Sequence, residues 1–434
     1  MSILSEWARF APKPRELTGD DRWNVFLSYR SVNRSWVLNL YDVLRHQGHK
    51  VFLDQCVLKA GDELTRKLED ALQTSQAGIL VWSKATRDSD WVLREYQVLE
   101  RQASKRRGFQ FVPVKLDDSE LPAFAENRVF LDFSSYPDGP NGGELLRLLH
   151  AVVGSPLSEE ATRFANEQDD RAHQETAKIG AAIKNGNPER LVQLFAEGGL
   201  TWQTSAALGC RTAEGLTKLA RYDEAIQMLE ALEERFPKAI RPKQLRALAF
   251  ARRGRNNDVK NAQDILGELY QLGERDPETL GIYARTWMDR YEKSANVTDL
   301  MQSRDLYSEA FQGARDDYYT GINAAAKSVF LGSEADLERA AACARQVQEI
   351  VGTEPRPQDY WMTATVAEVF LIQKKYQEAG RLYEAAVATA RSEIGSHQST
   401  WKQACRLMQR LQPTVEARAL IRKAFEHLPD CDHI

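Results

Sequence analysis

Short apolar runs alternate with stretches of helical period between residues 24 and 153, and after Ser155 the runs stop. Residues 24–28, 50–54, 78–82, 109–115 and 129–133 read as strands. Residues 32–47, closed by Gly48, then 63–73, the stretch around Trp91 and 143–153 read as the helices between them. Strands separated by helices predict an α/β domain with a five-stranded parallel sheet covered on both faces. Polar residues end the strands on one edge: Ser28, Tyr29 and Arg30 after the first, Asp54 after the second and Ser83 after the third. Open α/β sheets bind ligands at the carboxyl ends of their strands, so a crevice is expected there.

Just beyond the third strand, residues 89–100 place Trp91 and Glu95 four apart, on one helical face. An indole beside a carboxylate at a strand exit suits a small-molecule site. An exposed helix acid and a core tryptophan are the alternative on these residues alone.

A chain of 434 residues is long enough for two or three domains. Its 58 lysines and arginines face 62 aspartates and glutamates, which argues against nucleic acid as a partner. Arg101, Lys105, Arg106 and Arg107 form the densest basic cluster and read as a solvated helix end. The five cysteines, at 56, 210, 343, 405 and 431, include no CxxC pair, which suggests free thiols in a reducing compartment. No apolar window approaches the length of a membrane helix, and the amino terminus lacks the pattern of a leader; a cytoplasmic protein without a membrane partner is the expectation. HExxH, P-loop and Cys/His zinc spacings are missing, so no metal is expected. Gly139-Pro-Asn-Gly-Gly143 reads as the start of the last helix of the first domain, His427, Cys431 and His433 as a flexible tail, and Trp202, Trp287, Trp361 and Trp401 as core.

The expected organisation is a loose lead-in over 1–19, the α/β domain over 20–154, a charged linker over 155–174 and an all-helical region over 175–434. Within the last, Leu219-Ala-Arg-Tyr-Asp-Glu-Ala225 and Gln373-Lys-Lys-Tyr-Gln-Glu-Ala379 are nearly one sentence: a helix ends, a tyrosine-led turn follows, and an alanine lets the next helix pack closely. Pro237, Pro277 and Pro355 fall where helices should stop. These hairpins resemble tetratricopeptide repeats, which bury their faces by stacking.

With these residues assembled, 20–154 resembles a TIR domain, a flavodoxin-like fold. Val25-Phe-Leu-Ser-Tyr-Arg30 stands where that family has its first-strand motif, Asp54 to Gly61 as its second loop, and Ser89, Trp91 and Glu95 as its helix signature. Val92 replaces a cysteine often found there, and Lys59-Ala60-Gly61 lacks the usual proline. The resemblance implies a site that cleaves NAD+ at the nicotinamide–ribose bond, with Glu95 catalytic and Ser28, Tyr29, Arg30, Asp54, Gly61, Ser83 and Trp91 around the substrate. NAD+ is then substrate, with no separate cofactor, and the product beside nicotinamide is ADP-ribose or a cyclic isomer. It also implies self-association through TIR domains and a place in defence or cell-death signalling. A non-enzymatic TIR adaptor and a nucleotide-binding sensor without turnover remain the other readings.

Asp317-Tyr-Tyr-Thr-Gly-Ile-Asn-Ala-Ala-Ala-Lys327 with Leu331-Gly332 resembles the regulatory, TRAF-binding region of apoptosis-signal-regulating MAP kinase kinase kinases. That resemblance implies a helical region that receives a protein or small-molecule trigger and governs the domain before it.

Overall fold

The computed structural model describes residues 3–30, 33–53, 64–84, 90–120, 129–137, 139–356, 359–390 and 394–431, with 3–6, 64–68 and 90–96 described by their backbone. Two compact units divide the chain, Met1–Gly273 and Glu274–Ile434.

The first unit holds the expected sheet. Strands β1 (Trp23–Ser28), β2 (Val51–Phe52), β3 (Ser75–Trp82), β4 (Gln110–Lys115) and β5 (Leu131–Asp132) run parallel in the order β2-β1-β3-β4-β5. β1 and β3 share the register Leu27↔Ile79 and Ser28↔Leu80. Helix α1 (Ile3–Phe10) precedes the sheet; α2 (Arg34–His46), α3 (Leu64–Gln73), α4 (Asp90–Lys105) and α5 (Gly142–Val153) connect and cover it. Every residue of β3 is buried, as a central parallel strand requires. Phe26, Phe52, Leu72, Leu80, Trp82, Leu99 and Phe109 form one core. Gly78 lets α4 pass close over β3: a Cβ there would lie 2.1 Å from the Leu99 side chain. On α2, Val37, Leu40, Val43 and Leu44 are buried, each worth roughly 1.5–3 kcal/mol relative to exposure.

The expected lead-in is not loose. Trp7 and Phe10 of α1 pack on Phe164, the latter ring at 4.5 Å, and the Phe10 carbonyl meets His150 Nε2 at 2.8 Å. Arg15 donates to the carbonyls of Gln76 and Gly108, both at 2.8 Å. Arg106, expected in a solvated helix end, donates to the carbonyls of Gln73 and Ser75 and pairs with Asp21; Arg101, Lys105 and Arg107 are exposed.

The stretch expected as linker is helical. Helix α6 (Glu159–Lys184) starts at Ser158, whose hydroxyl accepts from the Ala161 amide, with Glu159 and Glu160 in the favoured acidic first turn. It binds the α/β domain directly. Asp169 accepts from the Gly143 amide at 2.6 Å and from the Tyr136 hydroxyl at 3.1 Å, and pairs with Arg147 at 2.6 Å. Gly143 makes room for this: a Cβ would meet the Ala165 carbonyl oxygen at 2.0 Å. Asn141 caps α5 by accepting from the Gly142 amide, so residues 139–143 do begin that helix. Because α6 packs on α5 as well as on the next helices, the first compact unit runs through the α/β domain and on to Gly273.

Helices α7 (Pro188–Glu197), α8 (Leu200–Gln203), α9 (Ala207–Lys218), α10 (Tyr222–Arg235), α11 (Ile240–Arg253) and α12 (Asp258–Gln271) complete that unit. The turn between α10 and α11 lies on α2, with the Phe236 and His46 rings 6.0 Å apart. Asp42 of α2 is buried beside it; burial pushes its carboxyl up to about 6 against the opposing pull of His46 and Lys238.

The second unit is helical among its described residues: α13 (Pro277–Ser294), α14 (Val297–Gly313), α15 (Tyr318–Leu331), α16 (Glu334–Val351), α17 (Tyr360–Ile372), α18 (Tyr376–Thr389), α19 (Ile394–Leu411) and α20 (Val415–Arg422). Sequential helices pack in pairs over a core that includes Phe311, Phe330, Val366, Tyr383, Trp401 and Phe425. The duplicated segments share a backbone. Ala220 and Lys374 both take positive φ, 58° and 61°, Tyr222 and Tyr376 each start a helix rather than lead a turn, and Ala225 and Ala379 are wholly buried. Pro277 likewise begins α13, at the first position after its Asp276 cap, where a missing N–H costs nothing.

Three further expectations change. Cys405 and Cys431 form a disulfide, Cys343 is a free thiol and Cys56 lies outside the described residues. The tail is packed as far as Cys431, since Trp401 Nε1 donates to the Pro429 carbonyl at 2.8 Å and His427 meets His397 at 3.0 Å; His433 lies outside the described residues. Trp202 and Trp401 are core, but Trp287 is half-buried and Trp361 is 50% exposed. Among the described residues no helix is long and apolar enough to cross a membrane.

Candidate functional site

The chain leaves β1 toward β2 on one side of the sheet and returns to β3 on the other, so the strand order reverses between β1 and β3. At such a switch point the connections diverge and leave a crevice at the carboxyl ends. Ser28, Tyr29 and Arg30 stand at the exit of β1, and Ser83 follows β3, so four of the expected residues flank this reversal. Ser28 and Ser83 are buried, whereas Tyr29 and Arg30 are partly exposed. Helix α4, which carries Trp91 and Glu95 in its first turns, is the element that follows β3. The side chains of Trp91 and Glu95 lie outside the described residues, as do Ser89, Asp54 and Gly61.

Three residues that were not expected from the sequence join this edge. Asn33 donates to the Ser83 hydroxyl at 3.0 Å. Arg34, buried in the first turn of α2, donates to the Tyr29 hydroxyl, its guanidinium 5.8 Å from that ring. Asp117, just past β4, accepts from the Lys84 amide at 2.7 Å and from the Ser119 amide at 3.0 Å. Burial raises the Asp117 carboxyl, but a hydrogen bond from the Ser119 hydroxyl, these two amides and the Lys115 charge outweigh it and hold the group below the usual carboxylate range. Asp117 was legible by the rule that marked the other strand ends, extended to β4. Asn33 and Arg34 follow the first-strand motif by only a few residues, with no pattern of their own.

Along the carboxyl ends of the strands, then, Asn33–Ser83 ties the exits of β1 and β3, Arg34–Tyr29 ties the exit of β1 to α2, and Asp117–Lys84 ties the exits of β3 and β4. The partly exposed members, Tyr29 and Arg30, bring a phenol and a guanidinium to this edge, on elements fixed by the sheet. Residues 25–148 match the TIR domain family.

The amino-terminal sheet is a TIR domain. Residues 221–329 match a second family, tetratricopeptide repeats-sensor, so a tetratricopeptide-like helical region follows the TIR domain. The chain is 31% identical over 116 residues to "Probable 2′ cyclic ADP-D-ribose synthase BdTIR" of Brachypodium distachyon, covering 26% of this chain and 51% of that protein. It is 34% identical over 80 residues to "Probable 2′ cyclic ADP-D-ribose synthase TcpB" of Brucella melitensis, covering 18% of this chain and 32% of that protein. The chain therefore spans about half the length of the first relative and about a third of the second. Among solved structures it is similar to the TIR domain of the Toll-related receptor TRR-2 of Hydra magnipapillata, at 23% identity, over 26% of this chain and 86% of that one, with a TM-score of 0.24.

Proposed function

We propose that the TIR domain cleaves NAD+ at the nicotinamide–ribose bond and that the helical region governs it. The observation that carries this reading is the likeness to proteins named as 2′ cyclic ADP-D-ribose synthases, because a cyclic ADP-ribose is what NAD+ can become once nicotinamide has left.

Nicotinamide is bound in NAD+ as a cationic pyridinium and departs neutral, so positive charge passes to the ribose, as in glycoside cleavage. A carboxylate beside the ribose stabilises that charge and accepts hydrogen bonds from its hydroxyls. Glu95, on the helix that follows β3, is the residue assigned to this role. Attack by water on the ribose then gives ADP-ribose, and attack by a hydroxyl of the same molecule gives a cyclic isomer; either releases one proton, which a carboxylate can take. Tyr29 and Arg30 are assigned to the phosphates or the adenine-side ribose, and Trp91 to the pocket wall. Ser28, Asp54, Gly61 and Ser83 are assigned to the substrate's surroundings. NAD+ serves as substrate, with no further cofactor.

Control by the helical region has a physical route in the first unit. Asp169 of α6 holds the amino terminus of α5, and the α10–α11 turn rests on α2, whose other end carries Arg34. A protein or small-molecule trigger on the helical region, self-association through TIR surfaces, a cytoplasmic setting and a role in defence or cell-death signalling belong to the same proposal. Nicotinamide release by the wild type and its loss in Glu95→Ala test it. Tight NAD+ binding by clustered protein without any release would favour an adaptor or a sensor instead.

A further inference from the structure

In the second unit, a groove of about 550 Å³ lies between α16 and the turn that joins α17 to α18. Its floor is apolar, built from Val329, Leu337, Ala340, Ala341, Ile372 and Leu411. Its rim is basic, with Arg345 on one side and Lys374 and Lys375 on the other, and among the described residues no carboxylate lines it. The amides of Gln348 and Gln373 span the wall at 2.9 Å.

The duplicated segment shows what is particular about this turn. In the first copy Arg221 occupies the place of Lys375 and is neutralised by Glu189 at 2.6 Å and by Glu224. Asp223 there binds Arg253 and Arg255. In the second copy Lys374 replaces Ala220 and Gln377 replaces Asp223, adding a cation and removing an acid on the same backbone, while Glu378 keeps the place of Glu224 without forming its ion pair. A left-handed residue favours glycine or asparagine, so backbone preference does not explain a lysine at φ 61°. Among the described residues, Arg345, Lys374 and Lys375 make no ion pair; Lys375 instead lies 5.4 Å from the Phe370 ring. The groove thus pairs apolar residues with three cations that make no ion pair among the described residues, at a volume within the range of small-molecule sites.

We propose that this groove binds a small phosphorylated ligand of nucleotide size. Its apolar or planar body lies on the floor, and its phosphates meet Arg345, Lys374 and Lys375, which act as point charges and a planar fork suited to phosphate. The site stands independently of the NAD+ reaction, since its residues all belong to the second unit.

The test is photolabelling of the full chain with 8-azido-ADP, mapped by mass spectrometry, in the wild type and in Arg345→Glu/Lys374→Glu. Both side chains are exposed, and circular dichroism checks the fold of the double variant. The expected result is a label within residues 329–348 or 370–375 that ADP suppresses at least tenfold more strongly than adenosine does. The double variant should lose that label at least tenfold while keeping any label in the TIR domain. A milder Arg345→Gln should lose part of it. No label in the second unit, equal competition by adenosine, or a label that survives charge reversal would each overturn the proposal.

Discussion

Asn33 and Ser83 are joined by a 3.0 Å hydrogen bond that links the exit of the first strand to the exit of the third. The bond spans the point where strand order reverses, so it ties together the two exits that flank the expected ligand site. Loss of one such bond costs about 1 kcal/mol, which is about fivefold in rate when the bond positions a reacting group. Ser83→Ala is expected to lower nicotinamide release by about that factor with an unchanged far-ultraviolet spectrum. An unaltered rate would mean that this bridge is only structural.

Asp169 is the chief polar tie between α6 and the TIR domain. Removing it takes the acceptor from the Gly143 amide and the Tyr136 hydroxyl and leaves Arg147 with Glu144 as its remaining carboxylate partner, all in a partly buried place. Asp169→Ala is expected to destabilise the first unit by about 2–4 kcal/mol. Asp169→Asn, which still accepts hydrogen bonds, should cost less. Urea midpoints of the two variants decide this.

In the second unit Lys327 is buried between Asn323 and Gln403, and Gln403 in turn donates to Glu368 at 2.7 Å. Burial pushes the Glu368 carboxyl up and the Lys327 amine down, each opposed by the other's charge. Glu368→Leu alone leaves a buried cation without its carboxylate and should cost about 3–5 kcal/mol. The pair Lys327→Met/Glu368→Leu should recover most of that loss. A double variant no more stable than the single one would show that the two charges are not coupled.

His49, buried behind α2, has its imidazole pushed down to about 4 by burial. The unfolded chain therefore takes up this proton first, and stability falls as pH drops from about 6.5 toward 4. Asp42, raised to about 6, acts oppositely: it favours the folded state as pH falls toward 4. A His49→Gln variant isolates the first effect. Between pH 7.5 and 4.5 it should lose about 2–3 kcal/mol less than the wild type in urea titrations.

The alternation of strands and helices was legible because parallel strands buried on both faces leave continuous apolar runs, as in β3. β2 and β5 came out shorter than their apolar runs because each is an edge strand with a single partner. Helix α6 was hidden by its charge, although Ala161, Phe164, Ala165, Gln168 and Ala172 recur at helical spacing along its buried side. The pairing of Cys405 with Cys431 left no trace, since the separation of two cysteines along a chain does not determine their distance in space. At the crevice, the polar residues that stop each strand could be read directly. Asn33 and Arg34 could not, because their role depends on how α2 enters the fold.

The measurement that bears most directly on the central claim is chromatographic quantitation of nicotinamide released from NAD+ by wild-type protein and by Glu95→Ala. Both should be matched for fold by circular dichroism and assayed over a range of protein concentrations. Release by the wild type should rise more than proportionally with concentration, and the variant should fall by at least about a hundredfold. Equal release by the two proteins would contradict it.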